Sequence, residues 1–227
     1  MKKNKILVVS LLILISSIQL FAQDSTRILL TMSPQHIFIN ALRFDVEYNL
    51  KKQNQWIGFA PQIYYNDEGD FFGSLFDSDF EVDEPYGASN SYDTLSGFGI
   101  EFYHKIFLLK RRIPEGFYFS YGATYNLFKL KYRSYDWVNY IEDGLEYTAY
   151  RAAYKHQTIN KIGANFLLGY QAELSEKLYL DVYTGLGFRY SFHSDEANQN
   201  QQFNNSTIGY GYSGSIFLFG IKFGVML

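Results

Sequence analysis

The chain has 227 residues, no cysteine and a slight acidic excess, with 20 Lys+Arg against 23 Asp+Glu and a formal charge of -3. Disulfides and thiolate zinc sites are thereby excluded, and an acidic chain without a basic stripe is a poor nucleic-acid binder. The length suits one domain, or at most two.

At the N-terminus Lys2, Lys3 and Lys5 precede an apolar run from Ile6 to Ile15, and a small residue, Ala22, stands before Gln23. This is the layout of a secretory signal peptide over residues 1–22. The run is shorter than the roughly 20 apolar residues of a spanning helix. Leu20, two before Ala22, departs from the small-x-small pattern, and no cysteine follows to carry a lipid anchor. The mature domain, residues 23–227, loses those three lysines, so its charge moves from -3 to -6.

The first candidate strand is "RILLTM", residues 27–32, followed by the turn-like "SPQ". Next, "LRFDVEYNL", residues 42–50, puts Leu42, Phe44, Val46, Tyr48 and Leu50 on one face and Arg43, Asp45, Glu47 and Asn49 on the other. Residues 57–65 follow the same rule less cleanly, and Pro61, which cannot donate to a ladder, predicts a bulge there. Residues 97–108 set Phe98, Ile100, Phe102, Ile106 and Leu108 against Gly97, Gly99, Glu101, Tyr103 and Lys105, and residues 117–127 continue the alternation. In 161–171 the apolar row is Ile162, Ala164, Phe166, Leu168 and Tyr170, opposite Lys161. In 178–190 it is Leu178, Leu180, Val182, Leu186, Phe188 and Tyr190, opposite Asp181 and Arg189. The last strand sets Phe217, Phe219, Ile221, Phe223, Val225 and Leu227 against Lys222.

The spacers alternate in length. Residues 51–55, 109–116 and 174–177 are short, whereas 67–94, 135–156 and 194–208 are long, as in an up-and-down meander with turns on one side and loops on the other. Seven strands are clear, and 27–32 supplies the even number that bacterial outer-membrane barrels normally have. The expected fold is all-β: an eight-stranded antiparallel up-and-down transmembrane β-barrel.

A soluble barrel turns its apolar row inward and a membrane barrel turns it toward lipid. Gly97, Gly99, Gly163, Gly169, Gly185, Gly187, Gly220 and Gly224 all fall in the charged row, where a crowded lumen calls for small residues, and the aromatic row needs the roomier exterior. A basic residue on the lipid face costs roughly 2–4 kcal/mol near the midplane. The lumen is therefore expected to hold an ion-pair network of Arg43, Lys105, Lys161, Arg189 and Lys222 with Asp45, Glu47, Glu101 and Asp181. Eight strands enclose only enough room for side chains, so a filled interior with no open pore is expected. Tyr48, Tyr64, Tyr65, Tyr132, Tyr179, Tyr190 and Tyr212, near strand ends, are candidates for the interfacial girdles, although tyrosine is also simply a good strand former.

The loop 67–94 carries nine carboxylates and no Lys or Arg. Its "DSDFEVDE" core, with Asp77, Asp79, Glu81, Asp83 and Glu84, has alternating acids, but Val82 stands where a calcium loop needs glycine. The segment is read as a solvated acidic extracellular loop rather than a metal site. Phe71, Phe72, Leu75, Phe76 and Phe80 among the acids offer a protein partner a surface, or a lid over the barrel. In "FHSDE", His193 and Ser194 are adjacent and point to opposite faces of a strand, so they do not make a nucleophile and base. His104 falls in the lipid-facing row near a strand end, and His36 and His156 lie in connections.

The signal segment ending in "FAQ", the stretch "RILLTMSPQHIFINALRFDVEYNL" and the terminal "FLFGIKFGVML" together resemble the small outer-membrane β-barrel proteins of Bacteroidetes-type Gram-negative bacteria, similar in architecture to OmpA and OmpX barrels. The resemblance spans the mature chain and implies no single activity. It implies insertion by the barrel-assembly machinery, which reads a terminal aromatic; here Leu227 is last, with Phe223 and Phe219 upstream. The combined expectation is a monomeric, non-enzymatic cell-envelope protein without cofactor or metal, contacting outer-membrane lipids. Its role would be structural or surface-interaction. The alternatives are a small-solute or ion channel, a lipid-modifying enzyme, and an accessory subunit of a larger envelope complex.

Overall fold

The computed structural model describes residues 28–50, 54–66, 94–109, 114–193, 203 and 209–227. The signal segment 1–22, the acidic loop with Asp77, Asp79, Glu81, Asp83 and Glu84, and Ser194 lie outside the described residues. Eight strands run in chain order: β1 (Ile28–Met32), β2 (Ala41–Asn49), β3 (Gln55–Asn66), β4 (Thr94–Phe107), β5 (Gly116–Glu142), β6 (Leu145–Ser175), β7 (Leu178–His193) and β8 (Gly214–Met226). Each pairs antiparallel with its sequence neighbours. β1 closes on β8 from Leu29↔Met226 to Met32↔Phe223, giving a closed up-and-down barrel. A short 3-10 helix, Pro34–Ile39, joins β1 to β2.

The alternation sets the two faces of the wall. In β2, Leu42 and Phe44 face out, while Arg43, Asp45 and Glu47 are buried inside, the two carboxylates with 0% exposure. Phe217 and Phe219 on β8 are 69% and 76% exposed, and Phe102, Phe166, Leu186 and Phe188 continue the apolar band around the barrel. An exterior so apolar over a charged interior suits hydrocarbon and not water, because apolar area left in water costs about 25 cal/mol per Å². The chain is a transmembrane β-barrel. No helix among the described residues is long and apolar enough to cross a membrane.

Two local expectations change. Residues 135–156 are not a loop: β5 and β6 stay in register from Gly116↔Gln171 to Glu142↔Leu145. Asp143 and Gly144 make the turn with φ of 51° and 79°, the doubly left-handed backbone of a type I′ hairpin. β4 leaves β5 at Lys131 and β7 leaves β6 at Ile159. Beyond those rungs no other described strand pairs with the hairpin, over roughly 35 Å at about 3.4 Å per residue. Cross-strand rings support it: Trp137 against Tyr150 at 5.4 Å and Tyr140 stacked on Tyr147 at 5.6 Å. The second change is at Pro61, which interrupts the β2–β3 rungs between Arg43↔Gln62 and Val46↔Phe59 but shifts no register. Its missing N–H removes a rung without adding a residue. The register shift lies instead between Glu173 and Ser175 in the β6–β7 pairing.

Candidate functional site: the charged lumen

Reading inward residues along β4 gives the order of the interior: Leu95, Gly97, Gly99, Glu101, Tyr103, Lys105, Phe107. Apolar residues lie at both ends, with charge between them. At the end of the short connections Leu29, Trp56, Phe107, Tyr118, Tyr179 and Tyr183 pack together. At the loop end Ala41, Tyr64, Leu95, Phe128, Leu130, Tyr132, Ile159 and Phe203 form a second cluster, with Ile39 and Tyr210 against it. The 3-10 helix between β1 and β2 also reaches inward, where Gln35 Nε2 donates to the Tyr183 hydroxyl at 3.0 Å.

Between the clusters, one continuous network joins six strands. Arg43 grips Asp45 with both arms of its fork, Nε to Oδ1 at 2.7 Å and Nη2 to Oδ2 at 2.9 Å, and gives Nη1 to Glu101 Oε2 at 2.6 Å. Lys222 Nζ donates to Asp45 from β8. The Tyr103 hydroxyl lies between Asp45 Oδ2 and Glu47 Oε1, at 3.0 and 2.8 Å. Lys105 Nζ reaches both oxygens of Glu47 at 2.8 and 2.9 Å, Asp181 Oδ2 at 2.9 Å and Gln171 Oε1 at 3.0 Å. The Tyr118 hydroxyl donates to the other Asp181 oxygen at 2.6 Å, and Asn165 Nδ2 to Glu101 Oε1 at 2.6 Å. Ring faces complete the cation shells: Lys105 lies 4.4 Å from the Tyr118 centroid and Lys222 4.8 Å from that of Tyr103. Every ion here is buried, so each needs these partners, because an unpaired charge at this depth costs several kcal/mol.

Of the nine lumen residues singled out in the sequence, seven meet in this network. Lys161 and Arg189 point into the same barrel but stand apart from it. Lys161 Nζ donates to the Gly209 carbonyl at 3.0 Å, and Arg189 Nη1 to the Phe188 and Ala164 carbonyls at 3.0 and 3.3 Å. They sit loopward of the carboxylates, and Glu101, the acid that Arg189 feels, has both oxygens engaged by Arg43 and Asn165.

Tyr103, Tyr118, Gln171 and Asn165 were not singled out, although they stand in the charged row. Nor do all bulky aromatics go outside. Tyr103 lies across Gly58, where an added Cβ would come within 2.1 Å of its ring, and Tyr118 lies across Gly169, with the corresponding approach at 2.3 Å. Tyr64, Tyr132 and Tyr179 are likewise lumenal rather than girdle residues, while Tyr65 and Tyr190 face out. Of the histidines, His104 Nδ1 meets the Tyr121 hydroxyl at 2.9 Å on the outer face, and His193 Nδ1 meets Gln157 Nε2 at 3.0 Å. Among the described residues, no group of three or more His, Asp or Glu could hold a metal ion.

No family model and no curated protein matches the chain. Among solved structures it is similar to the N-terminal beta-barrel domain of Pseudomonas aeruginosa OprF, with 11% identity, 89% of this chain and 95% of that chain covered, and a TM-score of 0.34. It is also similar to Acinetobacter baumannii CarO, with 13% identity, the same coverages and a TM-score of 0.33.

Proposed function

We propose that this is a non-enzymatic outer-membrane barrel that anchors an extracellular interaction surface and conducts nothing through its lumen. The observation that supports the reading is a continuous buried ion network lying between two apolar clusters. Eight strands enclose little room beyond that needed by side chains, and at the level of the ion network those side chains lie across it. The β5–β6 arm, with which no other described strand pairs beyond Lys131 and Ile159, supports a surface role. Trp137, Tyr147 and Tyr150 are exposed on it, well beyond the last rungs to β4 and β7, and clustered exposed aromatics mark interaction surfaces. The acidic stretch Asp77 to Glu84 belongs to the same proposed exterior. Export by the segment 1–22, insertion by the barrel-assembly machinery and a monomeric state in lipid complete the proposal.

Planar-bilayer recording in 1 M KCl tests it. The folded protein gives no discrete conductance steps; reproducible steps from heat-modifiable, folded barrel would establish a channel instead. Alanine at His193 and Ser194 leaves the lipid A and phospholipid profile of the cell unchanged, whereas an altered profile would point to a lipid-modifying enzyme.

A further inference from the structure

We propose that Lys161 and Arg189, with the Thr124 hydroxyl, form a binding site for a phosphate-class oxyanion in the loopward half of the lumen. Lys161 on β6 is opposite Asn126 of β5, and two residues further along β6 Gly163 is opposite both Thr124 and Arg189. The neighbours Ile162, Phe188 and Tyr190 face lipid, so both cations point inward. A Cβ at Gly163 would sit 2.7 Å from Arg189 Nη1 and 2.8 Å from Thr124 Oγ1, so the guanidinium and the hydroxyl converge over the space that this glycine leaves. At Gly187 the same construction meets Arg189 Nη1 at 2.9 Å and Asn165 Oδ1 at 3.1 Å.

Two features distinguish this place from the ionic network below it. First, its two cations have no carboxylate in hydrogen-bond contact among the described residues: they hold main-chain carbonyls, Lys161 also lies 5.4 Å from the Phe128 ring centroid, and Glu101, the acid nearest in effect to Arg189, is already held by Arg43 and Asn165. Two cations brought together at low dielectric repel strongly unless an anion lies near. Second, Thr124 is 93% buried and its Oγ1 has no hydrogen-bond partner among the described residues. A buried hydroxyl is ordinarily satisfied. Among the described residues Nε and Nη2 of Arg189 meet no acceptor, and a planar guanidinium fork with a hydroxyl and an ammonium matches the oxygens of a tetrahedral oxyanion. A lipid headgroup carries the same chemistry, but the wall beside this place is continuously paired from β5 to β7, which favours a free anion.

The test uses the full mature chain, refolded in nonionic detergent without lipid. Inorganic phosphate is titrated against sodium gluconate at matched ionic strength, and the midpoint of thermal unfolding is read by heat-modifiable gel migration. The wild type shows a saturable rise of at least about 3 °C. Arg189→Gln and Lys161→Gln abolish the rise, and the near-isosteric Thr124→Val, which preserves the packing, weakens it at least threefold in phosphate concentration. No saturable rise in the wild type would overturn the proposal in favour of a water-filled space, as would an equal rise in all variants. A rise that appears only when phosphatidylglycerol is added would overturn the free-anion source. Bilayer silence is independent of these results.

Discussion

Replacing Lys105 by Met removes the one cation that serves Glu47, Asp181 and Gln171 together. Its Nζ lies within 3.0 Å of four oxygens, and Lys105, Glu47 and Asp181 are each at least 99% buried. Removing one partner of a buried ion pair costs about 3–5 kcal/mol, because the remaining charge cannot reach water. Here two carboxylates are stranded, facing each other across the lumen, so the upper end, about 5 kcal/mol, is expected. Urea unfolding in lipid vesicles, followed by Trp56 fluorescence in a Trp137→Phe background, measures the difference. Neutralising the stranded acids as well, in Lys105→Met/Glu47→Gln/Asp181→Asn, restores most of the loss, since a network without charge has little to desolvate. A loss below about 1 kcal/mol for Lys105→Met would refute the reasoning, because it is what a hydrated, screened lumen would give.

Three further outcomes follow from the same geometry. Phe166→Arg, on the outer face, destabilises the barrel by about 2–4 kcal/mol in vesicles and much less at the water-facing tip of the arm, for instance at Ile141, as comparative urea titrations will show. Gly58→Val places a branched side chain where the Tyr103 ring lies; a refolding yield and unfolding midpoint well below wild type are expected, and Gly58→Val/Tyr103→Ala recovers part of the loss. Deleting residues 133–154 and closing β5 to β6 with Asn-Gly between Tyr132 and Lys155 removes the arm; the barrel's unfolding free energy changes by less than about 0.5 kcal/mol, while binding of any surface partner is lost.

Most of the wall was legible because one physical rule, a period of two with different solvents on the two faces, acts on every residue of a spanning strand. Arg43, Asp45 and Glu47 alternating with Leu42, Phe44 and Val46 leave no other phase. The rule weakens where the bilayer stops. The arm over residues 132–155 is free of the membrane's length limit of about 9–11 residues per strand, so its length suggested a loop, although Asp143-Gly144 is the dipeptide that type I′ turns favour. Charged lumen residues could be named from their row, but their partners could not. Lys105 and Asp181 are 76 positions apart, and only the shear of the barrel decides that they meet while Arg189 hydrogen-bonds no carboxylate among the described residues. Tyrosine is ambiguous in principle: Tyr103 and Tyr118 fill the lumen, Tyr65 and Tyr190 face lipid, and the presence of glycine on the neighbouring strand separates the first pair from the second.

The most direct test of the central claim, apolar side chains toward hydrocarbon and ionised ones within, exploits the absence of cysteine from the chain. Single nitroxide labels at Phe44, Phe102, Phe166 and Phe219 in lipid vesicles are compared for collision with oxygen, which concentrates in the bilayer, and with a water-soluble nickel chelate. Oxygen dominating at all four positions is the predicted result. Nickel dominating at Phe44 and Phe166 would contradict the account.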